Sequence, residues 1–318
     1  MGIDVLPSVL LTILNNSKLT KIYYIMGKAL IFSGVIIENP LQTVTFVKQP
    51  LTASDYVNEY AKLATSVTSE QKKNLTKFIE TLIANEIWDK VKCCFPMLGG
   101  LEGYNKDLKD VSNQVDWSTP VTGTSWDSTR NAPYLNLPGK AKGQILTIKG
   151  MDRRDSAFLF STKLKKASNG SILMSRYEYL DNPNSYLEKL NANNGGYAEP
   201  IWGTTKKNSS LKGYSYKAQA NNIYILNCQN NTNSLYVCSN NSTILIGGTG
   251  STKEVQEVSV AFGSYFDGVA EAPANNTLNG CMNMFIAFSS ALTEDKIQLL
   301  SKAVWDFDEA CGRHKDFA

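Results

Sequence analysis

The chain has 318 residues, 42% of them hydrophobic and 19% charged, with a formal net charge of +3. That length is enough to bury a large core, and a near-neutral balance without a long basic run excludes a nucleic-acid surface. No apolar run is long enough to span a bilayer as a helix.

From Val5 to Leu14 the chain is apolar but short, and Asp4 stands where a signal peptide carries positive charge. Gly2 is followed by Leu6 where a myristoylation signal needs Ser or Thr. Neither targeting device is expected. Residues 1–50 then read as a β-rich arm. Lys21–Met26 and Ala29–Ile37 are β-branched and aromatic, and Thr43–Val47 alternates at period two between Pro40 and Pro50. Such an arm pairs with a partner's sheet edge, or it belongs to the main fold's own sheet.

Residues 51–110 read as a helical segment. Ser54 is placed to cap a first helix through Leu63, and Thr68-Ser69-Glu70-Gln71 is a capping-box pattern. Leu75, Phe78, Ile79, Leu82 and Ile83 repeat at helical spacing, and Ile87, Trp88 and Val91 extend that face. Pro96 and Gly99-Gly100 stop it.

Beyond residue 110 the pattern becomes short strands and turns. Gln144–Ile148, Ala157–Ser161, Ser171–Tyr177, Asn222–Cys228, Ser234–Cys238, Ser242–Gly247, Val258–Phe262 and Met282–Phe288 are the strand candidates. Ile223-Tyr224-Ile225-Leu226 is apolar on both faces, as suits a strand buried on two sides. Many short strands between Asn/Gly/Ser loops predict a mainly β, antiparallel sandwich. It closes on a C-terminal helix over 293–311, with Thr293 as N-cap, acidic Glu294 and Asp295 in the first turn, and Gly312 as the stop. Ile297, Leu300, Val304, Phe307 and Cys311 form its buried stripe.

Chemistry is scarce. The six cysteines form no paired C-x-x-C modules, and His314 is the single histidine, so neither a zinc site nor a Ser-His-Asp triad is expected. The thiols read as reduced, in a protein made in a cytoplasm. Asn-X-Ser/Thr sequons, one of them at Asn74 within a predicted helix, fit an asparagine-rich composition better than glycosylation. Gly247-Gly248-Thr249-Gly250-Ser251 lacks a P-loop lysine and reads as a tight connection between strands. Asp267, Glu271 and Glu178 show no spacing that marks a glycosidase pair. Asp152 and Asp155, around Arg153-Arg154, read as a solvated turn, with loop-bound calcium the alternative. No other cofactor is expected, and no enzymatic activity. Tyr197, Trp202, Tyr214 and Tyr216 lie in a Gly/Asn/Ser/Lys-rich stretch outside clear periodicity. Aromatic faces beside amides suit stacking on sugar rings, and these four are the candidate glycan-binding residues. The alternative is that they cover the sandwich edge.

Glu86-Ile87-Trp88-Asp89-Lys90, Phe95-Pro96-Met97-Leu98-Gly99, Asn131-Ala132-Pro133-Tyr134-Leu135 and the ending Asn283 to Phe307 together resemble a group of bacteriophage virion proteins. In that group a helical preface is followed by a concanavalin A-like (laminin-G-like) jelly roll. The resemblance spans about residues 55–312 in blocks. It implies a jelly-roll sandwich over 111–318 in a tail-fibre, head-fibre or other virion appendage, with 1–50 attaching to virion proteins. It further implies a homo-oligomer, commonly a trimer, touching host-surface glycan. A secreted lectin-like adhesin and a sandwich glycoside hydrolase are the competing readings, since the fold hosts all three.

Overall fold

The computed structural model describes residues 9–15, 18–24, 51–109, 123–136, 144–149, 151, 155–165, 171–177, 187–192, 198–202, 209–210, 220–230, 232–239, 241–250, 257–262 and 279–317. The chain divides into two compact units, Met1–Thr52 and Ala53–Ala318. In the first, β1 (Val9–Asn15) and β2 (Lys18–Tyr24) form an antiparallel hairpin with Asn15 opposite Lys18. The expected strands over 29–37 and 43–47 lie outside the described residues.

The second unit begins with α1 (Ala53–Leu63), one residue ahead of the expected Ser54 cap. Ala53, Val57 and Tyr60 are its buried positions, and the Tyr60 hydroxyl donates to Leu98 O at 3.1 Å and Gly103 O at 3.3 Å. The helix end packs tightly on the following loop. A Cβ at Gly99 would meet the Ala64 Cβ at 2.7 Å, and one at Gly103 would meet it at 2.8 Å, closer than side chains approach.

Next comes α2 (Ser69–Ala84), opened by the predicted capping box: Gln71 N donates to Thr68 Oγ1 at 3.2 Å, and Thr68 N to Gln71 Oε1 at 2.9 Å. The helix does not continue through Ile87, Trp88 and Val91 as the apolar spacing suggested. Glu86 adopts φ 53°, which breaks it. Trp88–Lys90 make a single 3₁₀ turn, and the chain becomes β3 (Val91–Phe95). All three apolar residues are buried, so burial was read correctly and the period was not. After α3 (Gly100–Gly103), the next loop covers the free edge of β3. Leu108 N donates to Cys94 O at 2.7 Å, and Cys94 N donates to the Asp107 carboxylate at 2.9 Å.

The strands that follow are β4 (Thr124–Asp127), β5 (Ala132–Asn136), β6 (Gln144–Lys149), β7 (Asp155–Leu164) and β8 (Ser171–Tyr177). Then come β9 (Leu187–Ala192), β10 (Ala198–Trp202), β11 (Ser209–Ser210), β12 (Asn221–Gln229) and β13 (Thr232–Ser239). The last three are β14 (Ser242–Gly250), β15 (Glu257–Phe262) and β16 (Asn279–Phe288). Gly247–Gly250 therefore belong to a strand, not to the tight connection their composition suggested. Asn230 and Asn241, where β12 ends and where β14 is about to begin, take left-handed φ of 50° and 58°, which asparagine tolerates.

In the second unit all described pairings are antiparallel, in two large sheets. One runs β11-β10-β9-β8-β15-β6. The other runs β14-β13-β12-β7-β16-β5-β4, with β3 also paired to β16. The expectation of a mainly β, antiparallel sandwich is met. Period-two alternation explains the layering. Phe158, Phe160, Tyr224, Leu226, Leu235 and Val237 of the eight-stranded sheet join Ile148 and Val260 of the six-stranded sheet in one core. Ala157, Leu159, Ile223, Ile225, Ile286 and Phe288 point the other way, into a second core with α1, α2 and α4 (Glu294–Ala310). The eight-stranded sheet is thus the middle layer, which is why its strands read as apolar on both faces.

In β16 a bulge between Met282 and Met284 shifts the parity: Met282 faces the first core and Met284 the second. Below it, β16 pairs with β5 through Asn279–Cys281. Above it, β16 pairs with β3 through Phe285–Phe288. The stripe Ile297, Leu300, Val304, Phe307 and Cys311 is buried as predicted, and Gly312 takes φ 77° at the helix stop. Thr293 has the extended N-cap backbone, yet its hydroxyl makes no capping bond.

Candidate functional site

Of the four aromatic candidates, Tyr197, Tyr214 and Tyr216 lie outside the described residues. Trp202 closes β10, where it pairs with Ser209 of the edge strand β11. The sequence placed it between strands; the sheet instead carries it, one strand in from the edge. Its neighbour Ile201 pairs with Ser210 on one side and Lys189 of β9 on the other. The site is therefore built on the six-stranded sheet. Helices close the side of the eight-stranded sheet that faces away from the six-stranded one.

The acids considered for calcium and for catalysis divide similarly. Asp152, Glu178, Asp267 and Glu271 lie outside the described residues. Asp155 accepts the backbone amide of Ala291 at 2.7 Å and so fixes the turn into α4. Among the described residues no cluster of three or more His, Cys, Asp or Glu could hold a metal. The more buried acids are already occupied. Asp107 accepts from Cys94 N and Lys109 N, and Asp127 from Thr129 N, Arg130 N and the Arg130 guanidinium.

Sequence reading missed the polar centre of the fold. Arg313 is fully buried, as is Asp308, and their side chains pair at 3.0 Å. Arg313 Nη1 also donates to Asn283 O at 2.6 Å, in the β16 bulge. Nη2 donates to Pro96 O at 2.7 Å, Met97 O at 3.0 Å and Asn131 O at 3.3 Å. Ser161 Oγ of β7 donates to the second Asp308 oxygen. One guanidinium thus ties together β16, the loop after β3, the turn before β5 and the end of α4. The signal was present: Asp308 falls inside the buried stripe of α4, and a charge there demands a partner.

The C-terminal residues continue this clasp. Lys163 Nζ donates to His314 O at 2.7 Å and to Asp316 at 2.9 Å, and Arg130 Nε donates to Lys315 O at 2.9 Å. The Arg130 guanidinium lies over the Phe317 ring at 3.7 Å, and the Tyr134 ring meets Phe317 edge-on. His314 packs on Trp305 with ring centroids 4.3 Å apart, and burial pulls its pKa below the usual 6.5. All six cysteines are buried thiols outside any disulfide. Burial pushes the Cys281 thiol up to about 12 and Cys311 up to about 11, so neither is a ready nucleophile.

No protein-family model matches the chain, and no curated protein matches it in sequence. Solved structures do resemble it in shape. A mutant of Trypanosoma rangeli sialidase displaying trans-sialidase activity superposes with a TM-score of 0.50 at 11% identity, over 74% of this chain and 39% of that one. Domain 4 of AbnA, a GH43 extracellular arabinanase from Geobacillus stearothermophilus, in complex with arabinotriose, gives 0.47 at 11% identity, over 67% and 98%. The Ruminococcus gnavus IT-sialidase CBM40 bound to alpha2,3 sialyllactose gives 0.37 at 13%, over 46% and 82%. The chain thus spans about two fifths of the sialidase it resembles. At these identities the likeness concerns the fold. It corrects one expectation: an enzyme shares this shape, so the absence of a familiar catalytic motif does not make the chain non-enzymatic.

Proposed function

We propose that the sandwich recognises carbohydrate at the β10–β11 edge of its six-stranded sheet, around Trp202. The observation that carries this reading is the layering. In the second unit the helices pack on the far side of the eight-stranded sheet, and Trp202 stands on the other sheet, on β10 beside the edge strand β11, where an aromatic residue near a sheet edge can meet a sugar. The sialidase that superposes at a TM-score of 0.50 is named for trans-sialidase activity, which supports a sugar-directed reading. A jelly-roll path is the finer form of the proposal. It is supported by β15 lying between β6 and β8 while β16 lies between β5 and β7, as nested crossings of two sheets require. The setting, a phage virion appendage attached through residues 1–50, rests on the sequence resemblance.

A glycan array probed with the full chain, alongside its Trp202→Ala variant, tests the reading. Binding to a defined glycan class is expected, and the variant should lose about tenfold or more in affinity, the worth of one stacked ring. The same glycans should be assayed for cleavage, because a hydrolase of this fold also binds sugar. No binding to any glycan, or equal binding by both forms, refutes the site.

A further inference from the structure

The helices α2 and α4 border an open groove on the surface of the second unit. The two helices run antiparallel: Asn74 reaches Ala310 O, Phe78 packs on Phe307 at 5.3 Å between centroids, and Glu86 lies 3.5 Å from Lys296. Between them runs a groove of about 260 Å³, floored by Phe78 and Phe307 and bordered by Leu299, which is 43% exposed.

The outer rims carry opposite charge patterns. On α2 stand Lys73, Lys77 and Glu80, all exposed; on α4 stand Glu309, Asp306 and Lys302, also exposed. Among the described residues the one ion pair within this set is Lys302–Asp306, at 2.9 Å along α4 itself. It is more than half exposed and so contributes little. No acid on α4 of the same copy comes within ion-pairing distance of the α2 lysines, although the helices are neighbours.

We propose that two copies pair face to face across this groove as a four-helix bundle, about a two-fold axis running along the helices. Such a rotation keeps each residue at its height and exchanges the helices, so α2 of one copy faces α4 of the other. The three contacts above fix the heights. Lys73 then falls opposite Glu309 of the second copy, Lys77 opposite Asp306, and Glu80 opposite Lys302. Each pair is offset by no more than about two residues, or about 3 Å at the helical rise, within reach of these side chains. The symmetry repeats every pairing, giving six rungs with no like-charge contact among them. Leu299 meets the exposed Ala84 level of the facing α2, sealing one end with apolar surface. Antiparallel neighbours around an apolar seam are the usual geometry of such bundles. This association is independent of any glycan contact, and its two-fold symmetry differs from the trimer that the virion resemblance implies.

Sedimentation velocity on the full chain, up to about 100 µM, reads the assembly. A species of twice the 35.1 kDa chain mass is expected. Lys77→Glu and Asp306→Lys should each weaken it about tenfold or more, because each acts twice across the axis, and the combined variant should restore it. Leu299→Glu should weaken it as well. All these positions are exposed, and unchanged melting temperatures will show that the variants fold. A chain that stays monomeric, a trimer, a dimer indifferent to Lys77→Glu and Leu299→Glu, or a charge-swapped variant that fails to recover overturns the proposal. A monomer whose groove takes another protein counts against it equally.

Discussion

Replacing Arg313 with Met tests the polar centre most directly. The substitution keeps most of the side-chain volume but leaves the Asp308 carboxylate without its cation. The carbonyls of Pro96, Met97, Asn131 and Asn283 lose the donor they share. Breaking a buried pair from one side costs about 3–5 kcal/mol, and each buried acceptor left without its donor adds to that. A loss of at least about 4 kcal/mol is expected, a large part of the stability of an ordinary domain. At about 2–4 °C per kcal/mol for a domain approaching this size, the melting temperature should fall by about 8–16 °C. Asp308→Leu alone should cost a similar amount, by stranding the guanidinium. The double variant removes both charges and should recover about 2 kcal/mol or more of the summed losses, since an apolar pair escapes the desolvation that either single variant suffers. Urea denaturation of the four proteins supplies the cycle. An Arg313→Met protein within about 1 kcal/mol of the parent, or single losses that simply add, would refute the claim that this pair organises the fold.

Removing the capping box with Thr68→Ala should cost about 1 kcal/mol, seen as a melting-temperature drop of a few degrees; no change would mean that α2 is held by packing alone. The native protein should react very slowly with a thiol reagent at pH 8, whereas all six thiols should titrate once it is denatured, and rapid labelling of the folded chain would contradict their burial. His314 has its folded pKa lowered, so the unfolded chain binds the proton more readily. Stability should therefore decline as pH falls below about 6.5, and His314→Gln should flatten that decline in denaturation curves taken between pH 5 and pH 7. A variant with the parent's slope would assign the acid sensitivity elsewhere.

Local signals that act within one element were readable before any coordinates. The Thr68–Gln71 box, the α4 stripe and the Gly312 stop each depend on spacing along a single helix, and each stands as expected. Where tertiary context decided, sequence failed. Ile87, Trp88 and Val91 continue a helical period by coincidence, and the chain leaves the helix at Glu86 because β16 offers Val91–Phe95 a strand edge. Trp202 sits in a segment whose alternation is too weak to announce a strand, since β10 is five residues long and contains Pro200. Arg313 lies in a polar tail, Gly312-Arg313-His314-Lys315-Asp316, that looks solvated. Only the carboxylate of Asp308 on the apolar face hinted that one of those cations turns inward.

The sharing of β16 sets the smallest piece of this protein that can be excised or transplanted. A cut near residue 110 would leave behind β3, and with it the neighbour of Phe285–Phe288, opening a raw hydrogen-bonding margin on the most buried strand. Recombination at that point should yield insoluble product, whereas a junction next to Ala53 severs no strand pairing in the second unit. Anyone grafting this module should treat the helical preface as part of the cargo.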